Sequence, residues 1–300
     1  MNSQNIVNDK KLFYYDRLSK QIREEPVERE LYFLYHTYLG RWLVNTAFKQ
    51  PFFSFLYGLY ARSRLSKRMI LPFVNYYEIE MSEFDKPLNH YTSFNDFFCR
   101  RLKTNMRIID MDPAHFIAVC DGRLSTYAIT DDLILTIKTS QVTISQLVQD
   151  DQLANEYRGG IALLFRLALG DYHHFIYPVS GTASMPNRIP GKLQSVHPIA
   201  TTNHQQLFLN KRNVTVIHCD IFGTLMMIEI GAMTVGTIIQ CPYTSTIKRG
   251  QDKGYFQIGG SAIVILIKKD LLIIDNDIID ANQQGLEAFV KLGARIGVRK

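Results

Sequence analysis

The apolar positions of this chain change period partway along. From about Glu28 to Ile79, aromatics and leucines recur at helical spacing, with Leu31, Leu34, Tyr35, Tyr38 and Trp42 on one stripe. That stripe predicts helices, and Pro51 is expected to break or restart them. A shorter helical motif is predicted from Ser93 to Lys103, "SFNDFFCRRLK", with Ser93 or Asn95 as its N-cap. Beyond Ala118 the texture becomes short apolar runs bounded by Gly, Asp, Asn and Pro, among them "RLSTYAI", "IALLFRLAL", "TLMMIEI", "SAIVILIK" and "LLIID". Such runs predict a mostly antiparallel β domain. A last amphipathic helix is expected over Asp277 to Leu292. The fold class is therefore α+β: a helical N-terminal region, residues 1–104, then a β-rich domain, residues 105–300, closed by a C-terminal helix.

Composition sharpens this in a few places. Three hundred residues with 46% hydrophobic content can bury a sizeable core, so disorder is not the default. The net charge of +6 fits an anionic partner such as a lipid surface, and fits an ordinary basic enzyme equally well. No Lys/Arg run with interleaved aromatics argues for nucleic acid. The stretch "FFSFLYGLYARSRLSKRMILPFV" joins large apolar side chains to Arg62, Arg64, Lys67 and Arg68. Two readings stand: an interfacial element on anionic lipid, or helices packed on the main domain around a solvated basic loop. Cys99, Cys120, Cys219 and Cys241 are far apart, without CxxC or metal-ligand spacing, and read as reduced thiols of a cytosolic chain. No run of about eighteen apolar residues predicts a bilayer span, and the N-terminus lacks the apolar stretch of a secretory signal.

The stretch from Gly254 to Lys269, "GYFQIGGSAIVILIKK", sets Gly259, Gly260 and Ser261 just ahead of a run suited to a buried strand. Glycine weakens a strand unless its backbone freedom is used. The flanks do not spell the G-x-S-x-G elbow of hydrolases, so a nucleophile and a plain bulge remain open as readings of these three residues.

Other motifs accompany them in order: "SFNDFFCRRLK", "CDGRL" (Cys120 to Leu124), "DYHHFIYPVSG" (Asp171 to Gly181), "SVHPIA" (Ser195 to Ala200), "FGTLMMIEIGAMTVGTI" (Phe222 to Ile238) and "KRGQDKGYFQIGGS" (Lys248 to Ser261). Together they resemble the phosphatidylserine decarboxylase proenzymes, most closely the bacterial form with an extended helical N-terminal region, from about Tyr14 to Ile296. The resemblance implies that the chain cuts itself between Gly260 and Ser261, giving chains 1–260 and 261–300. It implies a pyruvoyl group made from Ser261 as the only cofactor, with no metal. Attack of a serine hydroxyl on the preceding carbonyl needs a base and a backbone that tolerates distortion, which two glycines supply. The ketone so made serves as an electron sink for decarboxylation, as pyridoxal phosphate does elsewhere. The implied partners are phosphatidylserine and an anionic membrane, with the protein peripheral on the cytoplasmic face of the cell membrane. A homodimer is left open.

The same resemblance assigns site residues. Asp121 carries over as the relay aspartate, and His173 as the histidine that serves substrate binding and decarboxylation. The family's second histidine, three residues on, is replaced here by Ile176, which cannot accept a proton. Three outcomes follow: His174 substitutes as base, Asp121 or another histidine such as His197 does, or the chain stays whole as a catalytically silent lipid-binding homologue. Ala262 also replaces the threonine usual after the cleaved serine, which bears on substrate identity.

Overall fold

The computed structural model describes residues 12–26, 51–137, 140–191, 210–234 and 237–300. The fold is organised around the strand Gly259–Ile267, apolar on both faces from Ala262 onward because both faces are covered. Ile263, Ile265 and Ile267 enter one core, while Ala262, Val264 and Leu266 enter another on the opposite side. Gly223–Thr234 flanks it on one side and Ile161–Leu167 on the other.

Across the large sheet the order is Thr246–Ile247, Gly181–Ala183, Arg212–Cys219, Gly223–Thr234, Gly259–Ile267, Ile161–Leu167, Gly122–Ala128, Glu287–Val290, Leu12–Asp16 and Gln21–Glu25. Its pairings are antiparallel except between Leu12–Asp16 and Glu287–Val290. One face is covered by two three-stranded sheets and the helix Asn276–Gln283, which bring Phe116, Phe175, Phe256, Ile278 and Ile296 into the first core. The short helices Ile144–Val148 and Asp151–Asn155 close the other face, the former started by a Thr143–Gln146 capping box.

The α+β expectation holds: short N-terminal helices precede a mostly antiparallel sheet and a C-terminal helix. The N-terminal helices are Pro51–Arg62, Ile70–Tyr76 and Phe94–Phe98; Leu31, Leu34, Tyr35, Tyr38 and Trp42 lie outside the described residues. Ser93, rather than Asn95, caps the last of these, its hydroxyl accepting from the Asp96 N–H at 3.1 Å. The C-terminal helix is shorter than the expected Asp277–Leu292. Gly285, at φ +78°, reverses the chain, and "EAFV" then alternates as a strand with Ala288 and Val290 buried.

A second difference lies at the start of the chain. Residues within the region expected to be helical form a hairpin, Leu12–Asp16 with Gln21–Glu25, that belongs to the large sheet. Its apolar signal is weak because Gln21–Glu25 exposes four of its five residues. Charge holds it instead. Buried Glu25 accepts from Arg166 Nη1 at 2.9 Å and Nη2 at 2.6 Å, and lies 3.2 Å from Arg123. Arg166 also pairs with Glu287, and Arg123 stacks its guanidinium 4.7 Å from the Tyr14 ring.

The helices pack where the chemistry is expected. Ala61, Ile70, Val74, Tyr91, Phe94, Phe97 and Phe98 form a cluster that includes Ile258, the residue before Gly259. Arg62 donates to Gln257 Oε1 at 2.8 Å.

Candidate active site

Ser261 sits near the start of the central strand, opposite Gly231 on one side and Leu167 on the other. Side chains alternate faces along a strand, so Ser261 shares the face of Ile263 and Ile265, beneath the layer that contains Phe175 and Phe256. It is 1% exposed, and its Oγ has no hydrogen-bond partner among the described residues. A buried hydroxyl without a partner costs about 1–3 kcal/mol, so its retention calls for a use. Between the pairs Gly231↔Ser261 and Thr234↔Gly259 the register slips by one residue. The extra residue lies on the neighbouring strand, between Gly231 and Thr234, so the irregular pairing falls opposite Gly260, where regular pairing would resist distortion. Ala262 points into the opposite core, away from the Ser261 face.

Asp121 is buried at the start of Gly122–Ala128 and is fully engaged, but not by a histidine. Arg107 grips it through Nε at 3.0 Å to Oδ1 and Nη2 at 2.6 Å to Oδ2, and the Leu292 N–H donates to Oδ1 at 2.8 Å. Arg107 also reaches Glu83 at 2.9 Å, a bidentate arrangement typical of arginine with carboxylates. Gly122 permits close packing here: a Cβ would come 3.0 Å from the Arg166 carbonyl oxygen. Arg123 pairs with Arg166, so Gly122 stands level with Leu167, which in turn faces Ser261. Two strand spacings, roughly 10 Å, therefore separate the backbones at Asp121 and Ser261.

The DYHHFI motif distributes its residues to different places. Ile176 is 2% exposed in an apolar cluster with Phe84, Ile117, Tyr172 and Leu292. Its N–H donates to the Val119 carbonyl at 2.9 Å, two residues before Asp121. Position 176 is therefore tied to the segment that carries Asp121, and its side chain has no proton to give or take. His174 is stacked between Tyr172 and Tyr255, ring centroids 4.9 Å away on each side, with Nε2 donating to the Cys99 carbonyl at 3.3 Å. His197 lies outside the described residues.

His173 is fully buried against Phe98, ring centroids 4.2 Å apart. Its Nδ1–H donates to the Asp171 carbonyl at 3.0 Å, which leaves Nε2 as an acceptor without a partner among the described residues. Arg100 Nη2 meets the same carbonyl at 3.0 Å and that of Gly170 at 2.7 Å, while its Nε and Nη1 are unpartnered. The guanidinium lies between the Phe84 and Phe97 rings, 4.7 and 4.9 Å from their centroids, and burial lowers its pKa to about 10. Sequence reasoning quoted the "CRRLK" segment without singling out Arg100. It had no signal at all for Arg107.

Burial, helped by the nearby Arg100 charge, pushes His173 down to about 3. Burial likewise holds His174 at about 4. Both imidazoles are therefore neutral in the folded protein near neutral pH, and above about pH 6.5 they are neutral in the unfolded chain too. As the pH falls below that value the unfolded chain binds protons the folded one refuses, so stability is lost toward pH 4 and then 3. Urea midpoints should fall steadily between pH 6.5 and 4, and His174→Gln should flatten that slope. An unchanged midpoint over this window would place both rings in water.

Among the described residues, no group of three or more His, Cys, Asp or Glu side chains is arranged to hold a metal ion. A buried serine behind two glycines, inside a strand whose neighbour is bulged, does not have the strand-to-helix elbow of a hydrolase nucleophile. The family model that matches residues 94–298 is described as phosphatidylserine decarboxylase. The chain is similar to phosphatidylserine decarboxylase proenzyme 2 of Clostridium acetobutylicum, 36% identical over 289 residues and 96% of each chain. It is also similar to phosphatidylserine decarboxylase proenzymes of Desulfitobacterium hafniense (37% over 292 residues, 95% of this chain and 98% of that one) and Clostridium perfringens (37% over 289 residues, 94% and 98%). The chain belongs to the phosphatidylserine decarboxylase family, pyruvoyl-dependent carboxy-lyases made as proenzymes.

Proposed function

We propose that this protein converts phosphatidylserine to phosphatidylethanolamine and CO₂ after cutting itself between Gly260 and Ser261, and that Ser261 becomes the pyruvoyl group. The observation that carries this reading is the buried Ser261 Oγ, without a hydrogen-bond partner among the described residues, beside a bulge in the neighbouring strand and opposite a residue with no side chain. These features fit a residue that must reach its own preceding carbonyl and later present a small ketone in a dry site. That ketone supplies the electron sink for loss of CO₂. The chain's own residues do the rest. His173 offers a buried Nε2, without a hydrogen-bond partner among the described residues, that can accept a hydrogen bond from the substrate. Asp121 is locked by Arg107 and Leu292, two residues from Val119, whose carbonyl holds the strand that ends at position 176.

The substrate resides in a bilayer, and no helix among the described residues is long and apolar enough to cross one. Peripheral docking on the cytoplasmic face of an anionic membrane is supported by the N-terminal helices. Leu59, Leu65 and Leu71 are 50%, 72% and 54% exposed there, close in sequence to Arg64, Lys67 and Arg68. Leu65→Asp with Leu71→Asp should weaken sedimentation with phosphatidylserine-containing vesicles on the order of tenfold or more, since each buried leucine contributes roughly 1.5–3 kcal/mol. Unchanged binding would move the docking face elsewhere.

The burial of Ile176 among apolar side chains favours a second reading, an uncleaved lipid-binding homologue. Denaturing electrophoresis separates the two. A short fragment, residues 261–300, without a free amino terminus supports the enzyme, whereas one full-length band supports the binder. Hydroxylamine, which traps the ester intermediate, would reveal a slow cleaver.

A further inference from the structure

We propose that Glu229 accepts the Ser261 proton during chain cleavage, a role Ile176 cannot fill; this rests on Ser261 being the self-cleaving residue. Gly223–Thr234 lies beside the serine strand, with Gly231 opposite Ser261 and Glu229 opposite Ile263. Glu229 is therefore the diagonal neighbour of Ser261. Both point to the same face, that of Leu225, Met227, Ile263 and Ile265. Diagonal neighbours stand roughly 7–8 Å apart, within reach of a long side chain, and Gly231 puts nothing between them.

The hydrogen-bond inventory matches. Glu229 is fully buried; Gln240 Nε2 donates to its Oε2 at 2.9 Å, and Lys253 Nζ lies 2.8 Å from its Oε1. Lys253 Nζ thus ion-pairs with Oε1 and also donates to Gln240 Oε1 at 3.0 Å. A buried carboxylate held by Lys253 and Gln240, and a buried hydroxyl without a hydrogen-bond partner among the described residues, thus occupy diagonal positions on one face. Besides Lys253 and Gln240, Tyr177 faces this carboxylate, its phenol pushed up to about 12 by burial and then by Glu229. Burial also raises the Glu229 pKa, against the pull of Lys253, which makes the carboxylate the stronger base.

The alternatives are weaker. Asp121 is paired with Arg107 and lies across an intervening strand, His174 is stacked between tyrosines, and His173 is held at about 3, too low for an effective base.

The steps balance without an external oxidant. The Ser261 proton passes to Glu229 as Oγ bonds to the Gly260 carbonyl carbon. The C–N bond then opens, and the departing amine takes the proton back, leaving an ester. Loss of the Ser261 Cα proton expels Gly260 as a carboxylate by breaking Cβ–Oγ. The resulting dehydroalanine takes up water and releases ammonia, so Cα is oxidised to the ketone while Cβ is reduced to a methyl group.

The test follows cleavage of the full chain after cell-free synthesis, by denaturing electrophoresis, with circular dichroism on each variant. Glu229→Gln should slow cleavage about 100-fold or more, and Glu229→Asp by less, with the fold retained. In the unmodified chain the rate should rise with pH through the Glu229 titration, and this rise should vanish in Glu229→Gln. Should Glu229→Gln misfold because Lys253 is left unpaired, Glu229→Gln with Lys253→Met removes both charges, and that variant should fold and remain uncut. Normal cleavage of either folded variant, or a slowed rate with the same pH profile, overturns the assignment and leaves the Ser261 reading standing. An uncut unmodified chain instead removes the Ser261 reading, and this one with it.

Discussion

Ser261→Ala should yield a folded chain of 300 residues that never separates into two pieces and shows no decarboxylation above background. The hydroxyl is the only atom at this position that can attack the Gly260 carbonyl, so without it no ester forms and no ketone follows. The fold should not suffer. Oγ makes no hydrogen bond, so its removal deletes an unsatisfied polar atom rather than a contact, a change that is neutral or stabilising by about 1 kcal/mol. Thermal unfolding should therefore occur at or slightly above that of an equally uncut reference, and electrophoresis should show one band at all times. A normally cut product from this variant would place the scissile bond elsewhere.

Ile176→His should shorten the half-time of cleavage at least tenfold. The backbone at 176 is tied to Val119, two residues from Asp121, and the Ile176 side chain packs against Leu292, whose N–H holds Asp121 Oδ1. An imidazole there would meet the aspartate that orients it, and a positioned general base contributes roughly 10²–10⁴-fold. The substitution has a cost, because Ile176 is 2% exposed among Phe84, Ile117 and Tyr172, and a polar ring there forfeits about 1–3 kcal/mol of packing and desolvation. Cleavage should also become independent of Glu229, so that Ile176→His restores processing to Glu229→Gln. A folded Ile176→His chain that matures at the original rate would mean that its ring cannot reach Ser261, and that Asp121 serves only to anchor Arg107 and the Leu292 loop.

Much of the fold was legible because central strands are covered on both faces: "SAIVILIK", "TLMMIEI" and "IALLFRLAL" are near-continuous apolar runs and became adjacent strands. The N-terminal hairpin was not, because ion pairs from Arg123 and Arg166 hold it and its own apolar pattern is faint. The end of the C-terminal helix was missed for a local reason, the left-handed turn at Gly285. At the candidate site, the clash between strand pattern and glycine content marks Gly259, Gly260 and Ser261 as irregular but does not separate a nucleophile from a plain bulge. Asp121 was legible only through its motif. Its partner Arg107 was not, since nothing local marks an arginine that will fold back onto a carboxylate fourteen residues on. Glu229 did carry a signal: it is the one acid in an apolar strand run, and a buried charge persists only when paired or used.

The most direct measurement is the intact mass of the purified protein under denaturing conditions. The account expects two species, residues 1–260 and residues 261–300, the shorter lighter by one ammonia than a fragment that starts with serine. A single unbroken chain of 300 residues carrying an unmodified Ser261 would contradict it.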